Sequence, residues 1–203
     1  MIYFFMNELS YRFEELREEV RNCKKCPLHA SRNQPVFGSG NPSARIMLIG
    51  EAPGADEDRE GVAFIGKAGE LLDKILTACN FNREEHVFIS NIVKCRPPGN
   101  RKPEKEEMAA CLPYLEQQIE LIDPVIIVAM GATALKGLQG GEPKITKERG
   151  SWQYFKSRLM MPTYHPAALL RNPSMKKPVW EDFKSVVRKY RELVDSGHYC
   201  EYV

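Results

Sequence analysis

Apolar side chains recur along the chain with two different spacings. Over residues 7–22 they lie three or four positions apart with charged residues between them, which predicts an amphipathic helix. The same spacing predicts further helices over residues 68–80, 103–121, 131–138 and 180–194. Pro103 would open its helix well, because a proline in the first turn removes no helical hydrogen bond.

Four short apolar runs separate these helices and predict strands over residues 44–50, 86–91, 124–130 and 158–163. Two of the runs are almost continuously apolar, which is typical of parallel strands buried on both faces. Strands that alternate with helices predict an α/β fold with a parallel sheet between helical layers. A chain of 203 residues fits one such domain, over residues 1–203.

The predicted strands end in segments that suit a binding site. These segments read GEAPG, NIVKCRPPG, GATA and TYHPAALLR. In open parallel sheets the ligand lies beyond the carboxyl ends of the strands. Three of the four segments carry polar or turn residues, so we expect the functional site there.

The charge distribution is uneven. The net charge is only +2, yet residues 144–191 hold twelve Lys or Arg against three Asp or Glu, so this segment sums to +9 and the rest to −7. A face that meets a polyanion has this character, and a solvated basic helix explains the count equally well. No stretch approaches the roughly 18 apolar residues of a membrane span, so we expect a cytoplasmic protein without a membrane partner.

Six cysteines in a cytosolic protein do not predict structural disulfides. Cys23 and Cys26 form a Cys-x-x-Cys pair, and Cys95 and Cys111 follow at long intervals. Four such thiols suit an iron–sulfur cluster or a zinc ion. A redox pair and six small buried apolar residues are the alternatives, and the spacing leaves all of them open.

Between Cys95 and Cys111 lies a proline-rich segment that would be clamped at both ends if these cysteines were ligands. Arg96, Arg101 and Lys102 lie in its first half. A clamped basic loop is a candidate contact for phosphates. An ordinary connection between two elements is the alternative.

Four features occur together in one order. They are GEAPGADEDREGVAFIGKAG at 50–69, NIVKCRPP at 91–98, HPAALLRNP at 165–173, and the spaced cysteines. With them the chain resembles the family 4 (iron–sulfur) uracil-DNA glycosylases from about residue 23 to about residue 190. The resemblance implies a three-layer α/β/α sandwich around a four-stranded parallel sheet.

The resemblance also implies a cofactor and a reaction. The cofactor is a structural [4Fe–4S] cluster on Cys23, Cys26, Cys95 and Cys111, with the N-terminal segment 7–30 completing its site. The reaction is hydrolysis of the N-glycosidic bond between uracil and deoxyribose in DNA, which leaves an abasic site. The target base must leave the duplex first, because its glycosidic bond is otherwise out of reach.

Substrate recognition is expected at Phe64, Asn91 and two glycines of the GEAPG turn, Gly50 and Gly54. Phe64 would be the aromatic platform, or else an ordinary core residue. The Asn91 amide offers a donor and an acceptor that match O4 and N3–H of uracil, or else it caps a turn. Gly54 stands where better-known relatives use a tyrosine near C5 of the base, so the Glu51 side chain is our candidate for thymine rejection.

Catalysis is expected to depend mainly on His165, which the resemblance places at O2 of the departing uracil. Better-known relatives have an aspartate directly after the position of Glu51, where this chain has Ala52. Water activation therefore falls to Glu57 or to the backbone of Glu51 and Ala52. The acidic run ADEDRE around Glu57 is otherwise a solvated loop.

DNA contacts are expected after His165. Leu169 would enter the space that the base vacates, or else hold the loop down, and Arg171 would contact phosphates beside the lesion. We expect a monomer that acts on uracil-containing DNA, single- or double-stranded. A sliding clamp and other repair proteins are candidate partners. The alternative functions are a non-catalytic iron–sulfur nucleic-acid-binding accessory module and a zinc-dependent hydrolase acting on nucleotides.

Overall fold

A computed structural model describes the backbone of residues 2–203 and the side chains of residues 7–203; the first residue of the predicted domain 1–203 lies outside this range. The helices in the described range are α1 Ile2–Arg21, α2 Ala55–Glu60, α3 Lys67–Ala78, α4 Arg83–His86, α5 Lys105–Ile122, α6 Ala132–Gln139, α7 Ile145–Glu148, α8 Pro166–Arg171 and α9 Lys176–Leu193. The strands are β1 Ser39–Gly40, β2 Ile46–Gly50, β3 Val87–Asn91, β4 Ile126–Met130, β5 Gln153–Phe155 and β6 Arg158–Thr163. Of these helices, none is long and apolar enough to cross a membrane.

The strands form one sheet in the order β1-β3-β2-β4-β6-β5. The four central strands are parallel, which confirms the predicted four-stranded parallel sheet. Two short antiparallel strands, β1 and β5, extend it at the edges. Strands of two and three residues leave no periodic signal in a sequence, so the prediction did not contain them.

Strand register brings the functional segments to one edge of the sheet. Gly50, the last residue of β2, pairs with Asn91, the last residue of β3. Met130, at the end of β4, pairs with Thr163, at the end of β6. The loops that follow all four parallel strands therefore begin at the same edge of the sheet.

Side chains of the central strands alternate between two apolar cores, as the pleat requires. On β2, Met47 and Ile49 face the core that α1 and α5 cover. Ile46 and Leu48 face the opposite core, which α3 and α9 cover. Helices thus pack on both faces of the sheet, and the predicted α/β/α sandwich is confirmed.

Several element boundaries differ from the prediction for local reasons. Helix α5 begins at Lys105 and not at Pro103, because the Glu104 N–H donates to the Glu107 carboxylate at 2.7 Å and caps the helix there. Helix α9 begins four residues earlier than predicted, with Pro178 in its first turn. The acidic run ADEDRE, for which no helix was predicted and a solvated loop was the alternative, forms α2. Its lack of apolar periodicity concealed the helix.

Candidate active site

A cavity of about 620 Å³ lies at the carboxyl edge of the sheet. Loops from all four parallel strands contribute to its wall, as expected for an open parallel sheet. It brings together ten residues that the sequence put forward: Glu51, Ala52, Gly54, Glu57, Phe64, Asn91, Arg101, Lys102, His165 and Arg171.

Phe64 and Asn91 meet above Gly50. A Cβ atom added to Gly50 would lie 2.5 Å from Asn91 Oδ1 and 2.7 Å from Cζ of Phe64. Any side chain at position 50 would therefore displace one of them. Gly50 thus leaves space for the side chains of Phe64 and Asn91. We call the part of the cavity bounded by Phe64, Asn91 and His165 the base pocket.

Asn91 carries an unpaired polar atom in this pocket. The residue is 1% exposed, and its Oδ1 has no hydrogen-bond partner among the described residues. An unpaired buried acceptor costs about 1–3 kcal/mol. Such an atom is typical of a site that waits for a donor from its ligand.

The Phe64 backbone is held in an unfavourable conformation by specific contacts. Its φ angle is +54°, which is uncommon for a residue with a side chain. Arg83 Nη2 donates to the carbonyl oxygens of Ala63 and Phe64 at 2.7 and 2.9 Å. A Cβ atom at Gly69 would lie 1.9 Å from the Phe64 carbonyl oxygen, so only glycine allows α3 to approach this loop. The ring is thereby fixed with its centroid 5.4 Å from that of His165.

His165 caps α8 through its side chain. The Ala167 N–H donates to His165 Nδ1 at 3.1 Å, so Nδ1 carries no proton and the neutral ring bears its hydrogen on Nε2. Burial, with a smaller effect from the nearby Arg171 cation, lowers the pKa of His165 to about 4, against a weaker upward effect from Glu57. The site therefore offers a neutral N–H donor at physiological pH.

A buried ion pair supports the strand that leads to His165. Thr163 Oγ1 donates to Asp182 Oδ2 at 2.6 Å, and Asp182 also accepts from two guanidinium nitrogens of Arg149. Thr163 and Asp182 are 0% and 2% exposed. These contacts fix the end of β6 against α9. The sequence did not reveal them, because the three residues are far apart along the chain.

Glu57 holds two loops of the site together. Its Oε2 accepts from the Gly54 N–H at 3.0 Å, and its Oε1 accepts from the N–H groups of Ile65 and Gly66 at 3.0 and 2.9 Å. The carboxylate thus joins the GEAPG turn to the loop that carries Phe64. Three of its roughly four acceptor positions are occupied, so one stays open.

Glu51 is oriented by a residue that the sequence analysis missed. Thr133, on α6, donates its hydroxyl to Glu51 Oε2, and both residues line the cavity beside Ala52. Thr133 belongs to the GATA segment at the end of β4. The strand-end rule pointed to that segment, but its small side chains gave no further signal.

Leu169 has the surroundings expected of the alternative role, a residue that holds the loop down. Leu169 is 1% exposed and packs into the core beneath α8. Its neighbour Leu170 is 47% exposed. A helix turns successive residues by about 100°, so when α8 forms, the second leucine and not the first faces outward.

The basic residues of the clamped segment have different surroundings. Arg101 and Lys102 line the cavity, whereas Arg96 does not. Arg96 Nε donates to Asn100 Oδ1 at 2.7 Å, which holds its own loop. Arg101 makes a bidentate ion pair with the buried Glu107 carboxylate, so part of its hydrogen-bonding capacity is used within the protein.

Four of the six cysteines line a second, small cavity on the face of the sheet that α1 and α5 cover: Cys23, Cys26, Cys95 and Cys111. We call this the cysteine cavity. Cys79 and Cys200 instead belong to the core on the other face of the sheet. Among the described residues, no group of three or more His, Cys, Asp or Glu side chains is arranged to hold a metal ion.

The donors around the cysteine cavity suit a thiolate-bound group. Arg32 Nη1 donates to Cys95 Sγ at 2.9 Å, and the Lys94 N–H donates to Cys111 Sγ at 3.3 Å. Hydrogen bonds to sulfur stabilise thiolate ligands and tune iron–sulfur clusters. Burial raises the pKa of Cys95, and that of Cys111 to about 11, so metal binding here would have to displace the thiol protons.

Comparison with known proteins identifies the class to which this fold and site belong. The model of the uracil DNA glycosylase superfamily matches residues 37–184, and the chain is a member of that superfamily. A type-4 uracil-DNA glycosylase of Sulfurisphaera tokodaii is 47% identical over 188 residues, which cover 89% of this chain and 84% of that protein. Type-4 enzymes of Thermotoga maritima and Saccharolobus solfataricus are each 45% identical, covering 87% and 84% of this chain and 95% and 83% of theirs. Within the superfamily, the chain belongs to the type-4 uracil-DNA glycosylases, as its motifs predicted.

Proposed function

We propose that this protein is a monofunctional glycosylase that removes uracil from DNA in base excision repair. It flips the uracil nucleotide out of the strand and hydrolyses the bond between uracil N1 and deoxyribose C1′. The observation that carries this proposal is the base pocket, where Phe64, the unpaired Oδ1 of Asn91 and a neutral His165 meet. The family membership of the chain supports the same reaction.

The polar edge of the pocket distinguishes uracil from cytosine. Uracil offers a donor at N3 and an acceptor at O4, which match Asn91 Oδ1 and Nδ2. Cytosine offers an acceptor at N3 and a donor at N4, so each would face a group of its own kind. A site built around specific hydrogen bonds rejects such an analogue strongly, because buried polar groups stay unpaired. The Phe64 ring supplies the stacking surface.

Bond cleavage is assisted from opposite sides of the glycosidic bond. The N1–C1′ bond breaks, its electron pair moves onto N1 and O2 of uracil, and His165 Nε2–H donates to O2 as that charge develops. The oxygen of a water molecule bonds to C1′, and the proton that the water gives up passes to the Glu57 carboxylate and on to solvent. The departing uracil anion takes up a proton from solvent. The Glu57 carboxylate stabilises the positive charge on the sugar and orients this water with the backbone of Glu51 and Ala52. The Glu51 side chain, held by Thr133, limits space for a methyl group at C5.

DNA is held at the mouth of the cavity. Leu170, in place of Leu169, enters the stack where the base has left, and Arg171 beside it contacts a phosphate. Arg101 and Lys102 contact the backbone on the other side of the cavity. Both single- and double-stranded uracil-containing DNA fit this scheme. Action as a monomer, cytoplasmic location, and contacts with a sliding clamp or other repair proteins remain predictions.

The cysteine cavity would hold a [4Fe–4S] cluster through Cys23, Cys26, Cys95 and Cys111. When bound, the cluster would supply structural cross-linking and no redox step. Segment 7–30 would then be joined through it to β3 and α5 within one domain. Four thiols with N–H donors directed at two of their sulfurs support this assignment over an arbitrary group of buried cysteines.

The test is release of free uracil from a labelled oligonucleotide that contains a single uracil. Wild type should release uracil and leave an alkali-labile abasic site. His165→Ala should be slower by about 10²–10³-fold, as for the loss of one charge-stabilising donor. His86→Ala, which lies away from the cavity, is the matched control and should keep full activity. DNA binding without any uracil release would favour the accessory-module alternative.

A further inference from the structure

A fully buried lysine lies between the base pocket and the cysteine cavity. Lys94 is 1% exposed and is among the largest fully buried side chains of the described chain. It follows Asn91 by three positions and directly precedes Cys95. Lysine is almost never fully buried unless its ammonium group is paired, so its partners indicate what it does.

The side chain turns back onto the end of β3. Lys94 Nζ donates to the carbonyl oxygen of Asn91 at 2.8 Å and to Ser90 Oγ at 2.6 Å. Both acceptors are uncharged, and both belong to the two residues that end the strand. The lysine therefore closes a ring with the backbone of the very residue whose side chain enters the base pocket.

The hydrogen bonds continue from Ser90 to α5. Ser90 Oγ donates to Gln118 Oε1 at 3.0 Å, and Gln118 Nε2 donates to the Phe37 carbonyl oxygen at 2.8 Å. Ser90 and Gln118 are both 0% exposed. A hydrogen-bonded polar network inside an apolar core favours one arrangement of the elements that it joins. Here those elements are β3, α5 and the segment at Phe37.

The backbone of Lys94 faces the other cavity. Its N–H donates to Cys111 Sγ at 3.3 Å, and the residue lines the cysteine cavity. Cys111 and Gln118 lie on the same helix, α5. One residue thus contacts a cysteine of the cysteine cavity through its main chain and the base-reading residue through its side chain.

We infer that Lys94 is a positioning residue for Asn91. The Asn91 amide must enter the pocket from a fixed point for its Oδ1 to meet a donor on the base. The Lys94 ammonium group sets this point, because it holds the backbone of Asn91 at the end of β3. Lys94 also links the two cavities, because its main chain contacts Cys111 and its side chain contacts Asn91. Through this link the cysteine cavity supports substrate recognition. This role rests on the proposed function of Asn91.

Lys94→Met tests the inference, because methionine is of similar length and apolar but has no donor. We expect unchanged iron content and visible absorbance, an affinity for free uracil about tenfold lower, equivalent to roughly one hydrogen bond, and a smaller preference for free uracil over free cytosine. Free-base affinities are measured by NMR titration and compared with rates of uracil release. Lys74→Met, at an exposed lysine of α3, is the matched control and should match wild type in every measurement.

Unchanged uracil affinity and selectivity in Lys94→Met would overturn the inference. Loss of iron together with uracil affinity would also overturn it, since Lys94 would then serve the cysteine cavity alone. If Lys94→Met is insoluble, Gln118→Met breaks the same network from α5. This variant should keep its iron and bind free uracil more weakly than wild type. Wild-type affinity for uracil in Gln118→Met would overturn the inference. Failure of the proposed function is seen separately, as wild-type protein that releases no uracil from DNA.

Discussion

At the scale of single residues, the proposed mechanism depends on the protonation state of His165. Its pKa of about 4 in the folded protein lies below the ordinary value of 6.5. Protonation would place a hydrogen on Nδ1, where the Ala167 N–H already donates. A cation would also face Arg171, and only Glu57 would favour it. The ring is therefore neutral throughout the physiological range.

We predict that His165 shows no titration between about pH 5 and pH 8. Between pH 6.5 and 4 the unfolded chain binds a proton at this histidine and the folded chain does not. The free energy of unfolding therefore falls as the pH drops through that window. Above pH 6.5 this histidine has no effect on it. Nitrogen-15 NMR of the imidazole should show the Nε2–H tautomer. A ring that titrates near pH 6.5 would contradict this description.

Glu57 provides a second residue-scale prediction. In Glu57→Gln one carboxylate oxygen becomes an NH₂ group, which cannot accept from all three backbone N–H groups at Gly54, Ile65 and Gly66. We predict a lower melting temperature together with a fall in kcat, because the loop carrying Phe64 loosens. Glu60→Gln on the same helix is exposed and should change neither. Near-wild-type kcat and melting temperature in Glu57→Gln would remove both roles from this carboxylate.

At the scale of elements, helix α8 separates two adjacent leucines. Leu169→Ala removes a buried side chain and should lower the free energy of unfolding by about 2–5 kcal/mol. Leu170→Ala changes an exposed side chain and should alter stability by less than about 0.5 kcal/mol. If Leu170 enters the duplex, its removal should slow uracil release from double-stranded DNA more than from single strands. Equal effects on both substrates would contradict this role.

The same helix shows what a sequence can and cannot predict. The motif HPAALLR indicated the right loop, because its residue types and order are specific. Which leucine faces outward depends on six residues forming a helix, and a segment that short has no visible apolar period. Helix α2 was missed for the same reason. The central strands and long helices were predicted because their burial repeats over many residues.

At the scale of the whole molecule, the cysteines divide into two groups by their place in the fold. Cys95→Ser should lose iron and visible absorbance and destabilise the protein. Cys79→Ser should keep both, because Cys79 lies in the opposite core, where burial raises its pKa to about 12 and keeps the thiol protonated. Iron analysis and the visible spectrum measure this. Full iron content in Cys95→Ser, or its loss in Cys79→Ser, would contradict the cluster assignment.

The site could be predicted from the sequence only in part, because residues that are far apart along the chain hold it together. Asn91 and His165 were identified from their motifs, and the strand-end rule placed them at one edge of the sheet. The contacts that hold them were not predictable, since Lys94, Gln118 and Asp182 satisfy polar groups that come together only in the folded chain. A buried lysine or aspartate has no signature in sequence that distinguishes it from an exposed one.

The central claim is that the base pocket selects and releases uracil. The most direct measurement compares identical oligonucleotides carrying uracil, cytosine or thymine at one position, with the released base identified by mass spectrometry. We predict free uracil from the first, nothing detectable from the other two, and an abasic site only where uracil stood. Absence of uracil release from both single- and double-stranded substrates by iron-loaded wild-type protein would contradict the account.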